Sequence, residues 1–426
     1  MSDSPPEEAI NLDSLSAWEK PHMRLFLSAD IIGSTAYKQK KTIKAPDESE
    51  EDKYPPWFNM VLAFYHQAEQ SFSRHWERAT RDLSEKDECK AWCGEPPVIW
   101  KTIGDEVLFT KRIDHPMQAL VCCQVWRATL EDIRRELKER GLDVKASAWL
   151  ADFPLRNQEV VLRRQVNRDH LTVDDDEYPY HNQLQLEKYY QEIETQEFSD
   201  SFILDYIGPS IDTGFRLGAL SSSRKFVVSL ELAHVLSTEQ ANGSRSTHSE
   251  SRTPLHSVGI FELPKFMFRY DGRVSLKGVL NGDPYPIFWI DLDPENPLHV
   301  AEDAVLDIYK PAAAQIRELT RSIIRANLDY VCEPFFFQDE GLGKPLSGYA
   351  GLSGDEIKKL WSRHEKFLET KENRDRENDT GSNIPENQNL VTDKARELVI
   401  QALVATESSP PSTTVHPEKA PVISAT

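Results

Sequence analysis

Between residues 24 and 153 the spacing of apolar residues changes character four times, and that order constrains the fold more than any other feature. "RLFLSA" (residues 24–29) is a short apolar run, the signature of a core strand. From Pro56 onward, Phe58, Val61, Leu62, Tyr65, Ala68, Phe72 and Trp76 recur at helical spacing, so one face of a helix is apolar. "PPVIWKTIGDEVLFT" (residues 96–110) reads as two strands joined by a tight Gly104-Asp105 turn. Leu120, Cys123, Trp126, Leu130, Ile133 and Leu137 then mark a second amphipathic helix, and "VKASAWLADF" (residues 144–153) a further strand. Strand, helix, hairpin, helix, strand is the split βαβ pattern. It predicts an α+β, ferredoxin-like fold: an antiparallel sheet backed by helices.

The flanks supply the organisation. Residues 1–20 are polar and read as a flexible N-terminus, and residues 42–56 as an acidic loop. The principal domain is expected over 21–295, with an acidic and aromatic insertion at 155–200. The run Asp174-Asp175-Asp176-Glu177 within it is a solvated charge patch before it is a calcium site. "RKFVVSLELAHVL" resumes as strand and helix start, and residues 239–254 read as a Ser/Thr-rich loop. The Asp271-Gly272 pair predicts a hairpin turn, and "YPIFWID" another strand. A helical extension is expected over 296–371, with helices near 311–328 and 354–371. Residues 372–426 read as a largely disordered tail, except for one candidate helix at 390–404.

Composition narrows the partners. The chain has 426 residues, 39% hydrophobic and 28% charged, enough apolar material for a large core. Its net charge of −20 repels polyphosphate backbones, which argues against nucleic acid as a partner. The five cysteines form no disulfide framework, and Cys89 and Cys93 lack the further ligands of a zinc site. No long apolar segment is present. These features predict a cytoplasmic protein with no membrane contact.

One residue breaks the apolar pattern. Asp30 ends the first strand, where a charge is costly unless something pairs with it. The amides of the Gly33-Ser34-Thr35 turn could satisfy it. The split βαβ topology offers a sharper reading, because it brings the end of the first strand beside the tip of the central hairpin. Asp30 and Asp105 would then converge, and converging carboxylates repel unless cations bind them. Two divalent ions held that way can stabilise both the attacking and the leaving oxygen of a phosphoryl transfer. The Gly33-Ser34-Thr35 turn could offer N–H groups to a triphosphate.

At these residues the chain resembles the class III nucleotidyl cyclases. "FLSADIIGST" and "KTIGDEVLF" resemble that family's two metal-binding motifs, and "DYIGPSIDTGFRLG" its base-reading and transition-state segment. The motifs occur in the family's order, across residues 23–291. The resemblance implies that Asp30, Asp105 and the backbone carbonyl of Ile31 hold two ions per site, Mn2+ or Mg2+. It implies that Lys101 and Asp205 contact the base and that Arg216 stabilises charge on the α-phosphate. It also implies a head-to-tail homodimer with two sites at the interface, each subunit giving metal ligands to one and Lys, Asp and Arg to the other. Asp212 departs from the family, which carries an asparagine there. An ionised Asp accepts but does not donate hydrogen bonds, so the ribose must be held differently or turnover is slow.

The spelling "SADIIGSTAYKQ", "IGPSIDTGFRL" and "YPIFWID" is most similar to the bacterial pyrimidine cyclases of Pycsar antiphage defence. That resemblance implies UTP as substrate, cyclic UMP as product and a downstream effector switched on by it. Tyr37, Trp100 and Tyr206 are candidates for the wall of a pyrimidine pocket, and each is equally an ordinary core aromatic. A cytidylate cyclase, an adenylyl cyclase and a nucleotide-binding homologue without turnover are the alternatives.

Overall fold

The computed structural model describes residues 14–39, 54–85, 87–163, 178–195, 202–245, 265–338 and 344–381. The acidic run at 174–177, the candidate helix at 390–404 and most of the 42–56 loop lie outside these. The chain is an α+β fold whose first half follows the expected order: β1 (His22–Ile32), α1 (Ser34–Gln39), α2 (Pro56–Ser84), β2 (Val98–Ile103), β3 (Glu106–Ile113), α3 (Pro116–Glu139) and β4 (Asp143–Phe153). Then come β5 (Gln158–Arg163), α4 (Tyr178–Thr195), β6 (Phe202–Ile207), α5 (Pro209–Gly218), β7 (Lys225–Val228) and α6 (Leu230–Arg245). The remainder comprises β8 (Phe268–Val274), β9 (Tyr285–Asp291), α7 (Pro297–Val305), α8 (Ala313–Arg325) and α9 (Gly354–Gly381). Met1–Phe367 form one compact unit; Leu368–Thr426 form a second, helical over its described residues.

The main sheet has seven strands in the order β2-β3-β1-β4-β7-β9-β8. Its first four strands are the split βαβ unit, with β1 between β3 and β4 and antiparallel to both. This arrangement is ferredoxin-like, as the sequence pattern predicts. A separate ribbon pairs β5, inside the segment the sequence marks as an insertion, with β6, which follows it directly.

Alternation along β1 sorts its side chains onto two faces. Leu25, Leu27, Ala29 and Ile31 join the large core beneath α2, α3 and α6. There Phe72, Phe109 and Trp126 meet with ring centroids 5.2–5.4 Å apart. Phe26 points to the opposite face, into a second core with Leu108, Trp149, Phe153, Tyr206 and Ile211. Its ring stacks on Trp149 at 5.3 Å, while Trp100 and Tyr206 approach it edge-on. Burying each of these aromatics contributes about 2–3 kcal/mol in transfer terms.

Helix α5 seats on this second face through a residue with no side chain. A Cβ at Gly214 would stand 2.1 Å from the Trp149 indole, so the helix approaches only because nothing projects there. Gly214→Ala should therefore destabilise the protein by about 1–3 kcal/mol, the usual range for overpacking. Denaturant unfolding will check this, and an unchanged midpoint would mean that the helix can move aside freely.

Two local expectations are corrected, and one helix is added. Asp271-Gly272 is no hairpin turn: it lies within β8, where the register with β9 slips between Tyr270 and Arg273. Gly272, at φ +80°, forms a bulge, and Asp271 is tied across the sheet to Trp289 Nε1 (2.7 Å) and Lys225. Residues 239–245 are helical, because Glu239 accepts from Tyr349 (2.7 Å) and Gln240 bonds the Phe266 backbone. Those tertiary bonds override the local Gly and Ser content. Helix α7 was not anticipated. Asn296 caps it by accepting from the Leu298 N–H at 3.0 Å, ahead of Pro297 at its first position.

Candidate active site

The first strand delivers Asp30 to a meeting point of charges. Asp30 pairs in register with Glu106 on β3 and with Lys145 on β4, and its carboxylate lies 3.0 Å from Lys145 Nζ. Asp105 sits at the hairpin tip, where Gly104 adopts φ +67° in the turn and its carbonyl accepts from the Tyr65 hydroxyl of α2. The Asp105 carboxylate accepts from Lys38 Nζ at 2.9 Å and from the Ser34 hydroxyl. The Ile31 N–H donates to the Asp105 carbonyl at 3.4 Å, stitching the strand end to the tip. Gly33, at φ +88°, leaves β1 and starts α1, which places Ser34 and Lys38 beside Asp105. Thr35 is exposed on the same turn.

Asp30 and Asp105 are near enough for each to shift the ionisation of the other. Burial holds the Asp30 carboxyl above its ordinary range; Asp105 adds to this, and Lys145 opposes it. Burial pushes Asp105 upward too, but hydrogen bonds from Ser34 and Lys38 outweigh it and leave that carboxyl low. Glu106 is the third acid here. Its carboxyl is raised by burial and by the charges of Asp30 and Asp105, and the Ser28 hydroxyl donates to it.

The donor set suits a hard divalent cation. Mg2+ and Mn2+ take oxygen ligands, commonly one or two carboxylates completed by water and substrate phosphates. Asp30 and Asp105 provide such a pair, and Lys145 and Lys38 supply the positive charge that now balances them. Among the described residues no three His, Cys, Asp or Glu side chains gather into a fuller metal site.

A second group lies on β2, β6 and α5. One oxygen of Asp205 accepts from Lys101 Nζ (2.8 Å), Trp100 Nε1 (3.0 Å) and the Tyr206 N–H (2.9 Å). The Lys101 ammonium also rides 4.1 Å from the Trp100 ring centre. Asp205 is thereby held as an acceptor. Asp212 is exposed on α5, and the partly exposed Arg216 donates to the Asp212 carbonyl, at 2.8 Å, one turn back. Of the three aromatics proposed for a base pocket, Trp100 and Tyr206 share this face, whereas Tyr37 packs against the core beneath the helices. Tyr206 is buried under Trp100 and serves packing first. Among the described residues, no hydrogen bond or ion pair joins the Lys101, Asp205 and Arg216 group to the Asp30 and Asp105 group.

Sequence reasoning did not single out Glu106, Ser28, Lys38 or Lys145. Glu106 follows Asp105 directly, so its parity on a strand was available as a signal. Lys145 reaches Asp30 through the β1–β4 register, which no local pattern encodes.

No family model and no curated protein matches the chain. Among solved structures it is similar to the adenylyl cyclase CyaB from P. aeruginosa, with 12% identity and a TM-score of 0.36 over 64% of this chain and 94% of that one. It is also similar to the guanylate cyclase domain of RhGC from Catenaria anguillulae in complex with GTP, with 12% identity and a TM-score of 0.31 over 64% of this chain and 97% of that one. Likenesses this distant do not bear on what the chain binds. Its own residues must carry that reading.

Among the described residues, no helix is long and apolar enough to cross a membrane.

Proposed function

We propose that the chain is a nucleotidyl cyclase of the class III type that closes a pyrimidine nucleoside triphosphate, UTP first, into its 3′,5′-cyclic monophosphate. The observation that carries this reading is the meeting of Asp30 and Asp105 beside a turn that opens a helix, on a sheet whose Lys101 pairs with Asp205 of the β5–β6 ribbon. A non-catalytic nucleotide binder has no evident need for both acids and a poised arginine.

In the proposed reaction the ribose 3′-oxygen forms a bond to the α-phosphorus, and the bond from that phosphorus to the β-bridging oxygen breaks to release pyrophosphate. Asp30, Asp105 and the Ile31 carbonyl would hold divalent cations, Mn2+ or Mg2+, two per site, which acidify the 3′-hydroxyl and neutralise the triphosphate. Gly33, Ser34 and Thr35 would border the phosphates. Arg216, tied among the described residues to its own helix, is available to meet the charge that develops on the α-phosphate. Asp212 would accept a hydrogen bond from a ribose hydroxyl, a role that needs no donor.

Lys101 and Asp205 form an adjacent donor and acceptor, which suits a pyrimidine edge. Uracil presents its N3–H to the acceptor and a carbonyl oxygen to the donor. Cytosine presents its exocyclic amine and its N3 to the same pair, so cytidine triphosphate is the second reading. The resemblance to pyrimidine cyclases favours UTP, and with it a homodimer, a cyclic-nucleotide-activated effector and a part in antiphage defence.

Incubation with ATP, GTP, CTP and UTP in Mn2+, followed by product mass spectrometry, tests the reading. Cyclic UMP is expected. Cyclic CMP would reassign the base, and cyclic AMP would make the chain an adenylyl cyclase. Nucleotide binding with no product from any of the four would leave a silent homologue.

A further inference from the structure

Helix α5 carries Asp212 and Arg216, yet its own N-cap residue cannot cap it. Gly208 has no side chain to offer the first-turn N–H groups. The capping group comes instead from 53 residues upstream of Ser210, a separation that only tertiary structure can close. Asn157 is fully buried, and its Oδ1 accepts from the Ser210 N–H at 3.0 Å. Its Nδ2 donates to the Ser210 hydroxyl at 3.2 Å, to the Asp152 carbonyl at 2.9 Å and to the Asp152 carboxylate at 3.2 Å. Asp152 is the penultimate residue of β4, the strand whose Lys145 meets Asp30.

The fit around this clasp is close. A Cβ at Gly208 would lie 2.5 Å from Asn157 Oδ1 and 2.8 Å from its Cα, and Gly208 holds φ +141°. Only glycine lets the chain pass there. Asn157 thus fixes the start of α5 to the end of β4, while the Gly214–Trp149 contact fixes the middle of the helix to the same strand. With two anchors on one strand, neither the axial position nor the rotation of α5 is free.

We propose that Asn157 is a positioning residue: through Ser210 it sets where α5 presents Arg216 to the reacting phosphate. This inference rests on the cyclase reading above for its functional half. Its structural half, that Asn157 holds the first turn of α5, stands apart from that reading.

The test compares Asn157→Ala, Arg216→Ala and the double variant with the full-length wild type, in steady-state turnover and in amide exchange. Displacing a reacting group by about 1 Å can cost about 10²-fold, so Asn157→Ala should lower kcat by roughly 10- to 100-fold with KM changed about threefold or less. On the Arg216→Ala background the same substitution should lower kcat no further, because it acts through that arginine. An equal loss on both backgrounds would overturn the proposal, as would an unchanged kcat. Amide exchange at Ser210 should quicken in Asn157→Ala while β1 and β4 keep their protection; unchanged exchange at Ser210 would also overturn it. If Asn157→Ala does not fold, Ser210→Ala removes one arm of the clasp and should lower kcat about two- to fivefold, and no loss there would count against the proposal. A wild type that makes no cyclic nucleotide would refute the cyclase reading, and exchange at Ser210 would still decide the clasp.

Discussion

Replacing Asp30 with alanine should reduce cyclic nucleotide formation by at least about 10³-fold, roughly 4 kcal/mol of transition-state stabilisation, and leave the fold intact. The reasoning has two parts. The functional loss is large because Asp30 and Asp105 are the acids that converge at the end of β1, and Asp105 alone offers one carboxylate where two are needed. The structural cost is small because Asp30 is partly exposed and its pair with Lys145 is worth about 1 kcal/mol or less at such a site. Asp30 is also held above its ordinary range by burial and by Asp105, so its removal relieves a repulsion. Product chromatography and a thermal melt check the two parts separately. A variant that keeps more than a tenth of wild-type turnover would mean that Asp30 is only a pairing partner for Lys145. Asp105→Asn should be as inactive but less stable, because it weakens the bonds that Ser34 and Lys38 make at the hairpin tip.

The fold was legible where pattern alone decides. The order of periods from β1 to β4 specifies a split βαβ unit, and two features follow from that topology: β1 lies at the centre of its four strands, and its end meets the β2–β3 tip. Asp30 and Asp105 therefore come together as the order of elements requires. Legibility stopped where contacts are long-range. The Lys145–Asp30 pair depends on register, and the Asn157 clasp joins a loop to a helix across the second face. Asp271-Gly272 shows the converse failure. The dipeptide has turn chemistry, yet Trp289 and Lys225 hold Asp271 across the sheet, and the glycine is spent on a bulge within one strand. Helix α6 likewise runs through Gly243 because Glu239 and Gln240 are anchored from outside it.

Asp30→Ala and Arg216→Ala, each retaining only a small residual turnover alone, should recover about a quarter of wild-type turnover when mixed in equal amounts. The expectation follows from the separation of the two groups within one chain. No hydrogen bond or ion pair joins Lys101, Asp205 and Arg216 to the acids at the β1 end among the described residues, although in the proposed reaction one substrate touches both sets. The proposed head-to-tail dimer would solve this by pairing the acids of one copy with the Arg216 of the other. In the mixture about half of the dimers contain one variant of each kind, and such a dimer has one of its two sites free of either change. The quarter is a consequence of symmetry and independent of the chemistry. Turnover in the mixture that stays at the sum of the separate variants would show that each site is built within a single copy, and Arg216 would then have to reach the acids of its own chain. Sedimentation of the mixture fixes the interpretation, since recovery requires subunit exchange. A mixture that exchanges subunits without regaining activity contradicts the shared site directly.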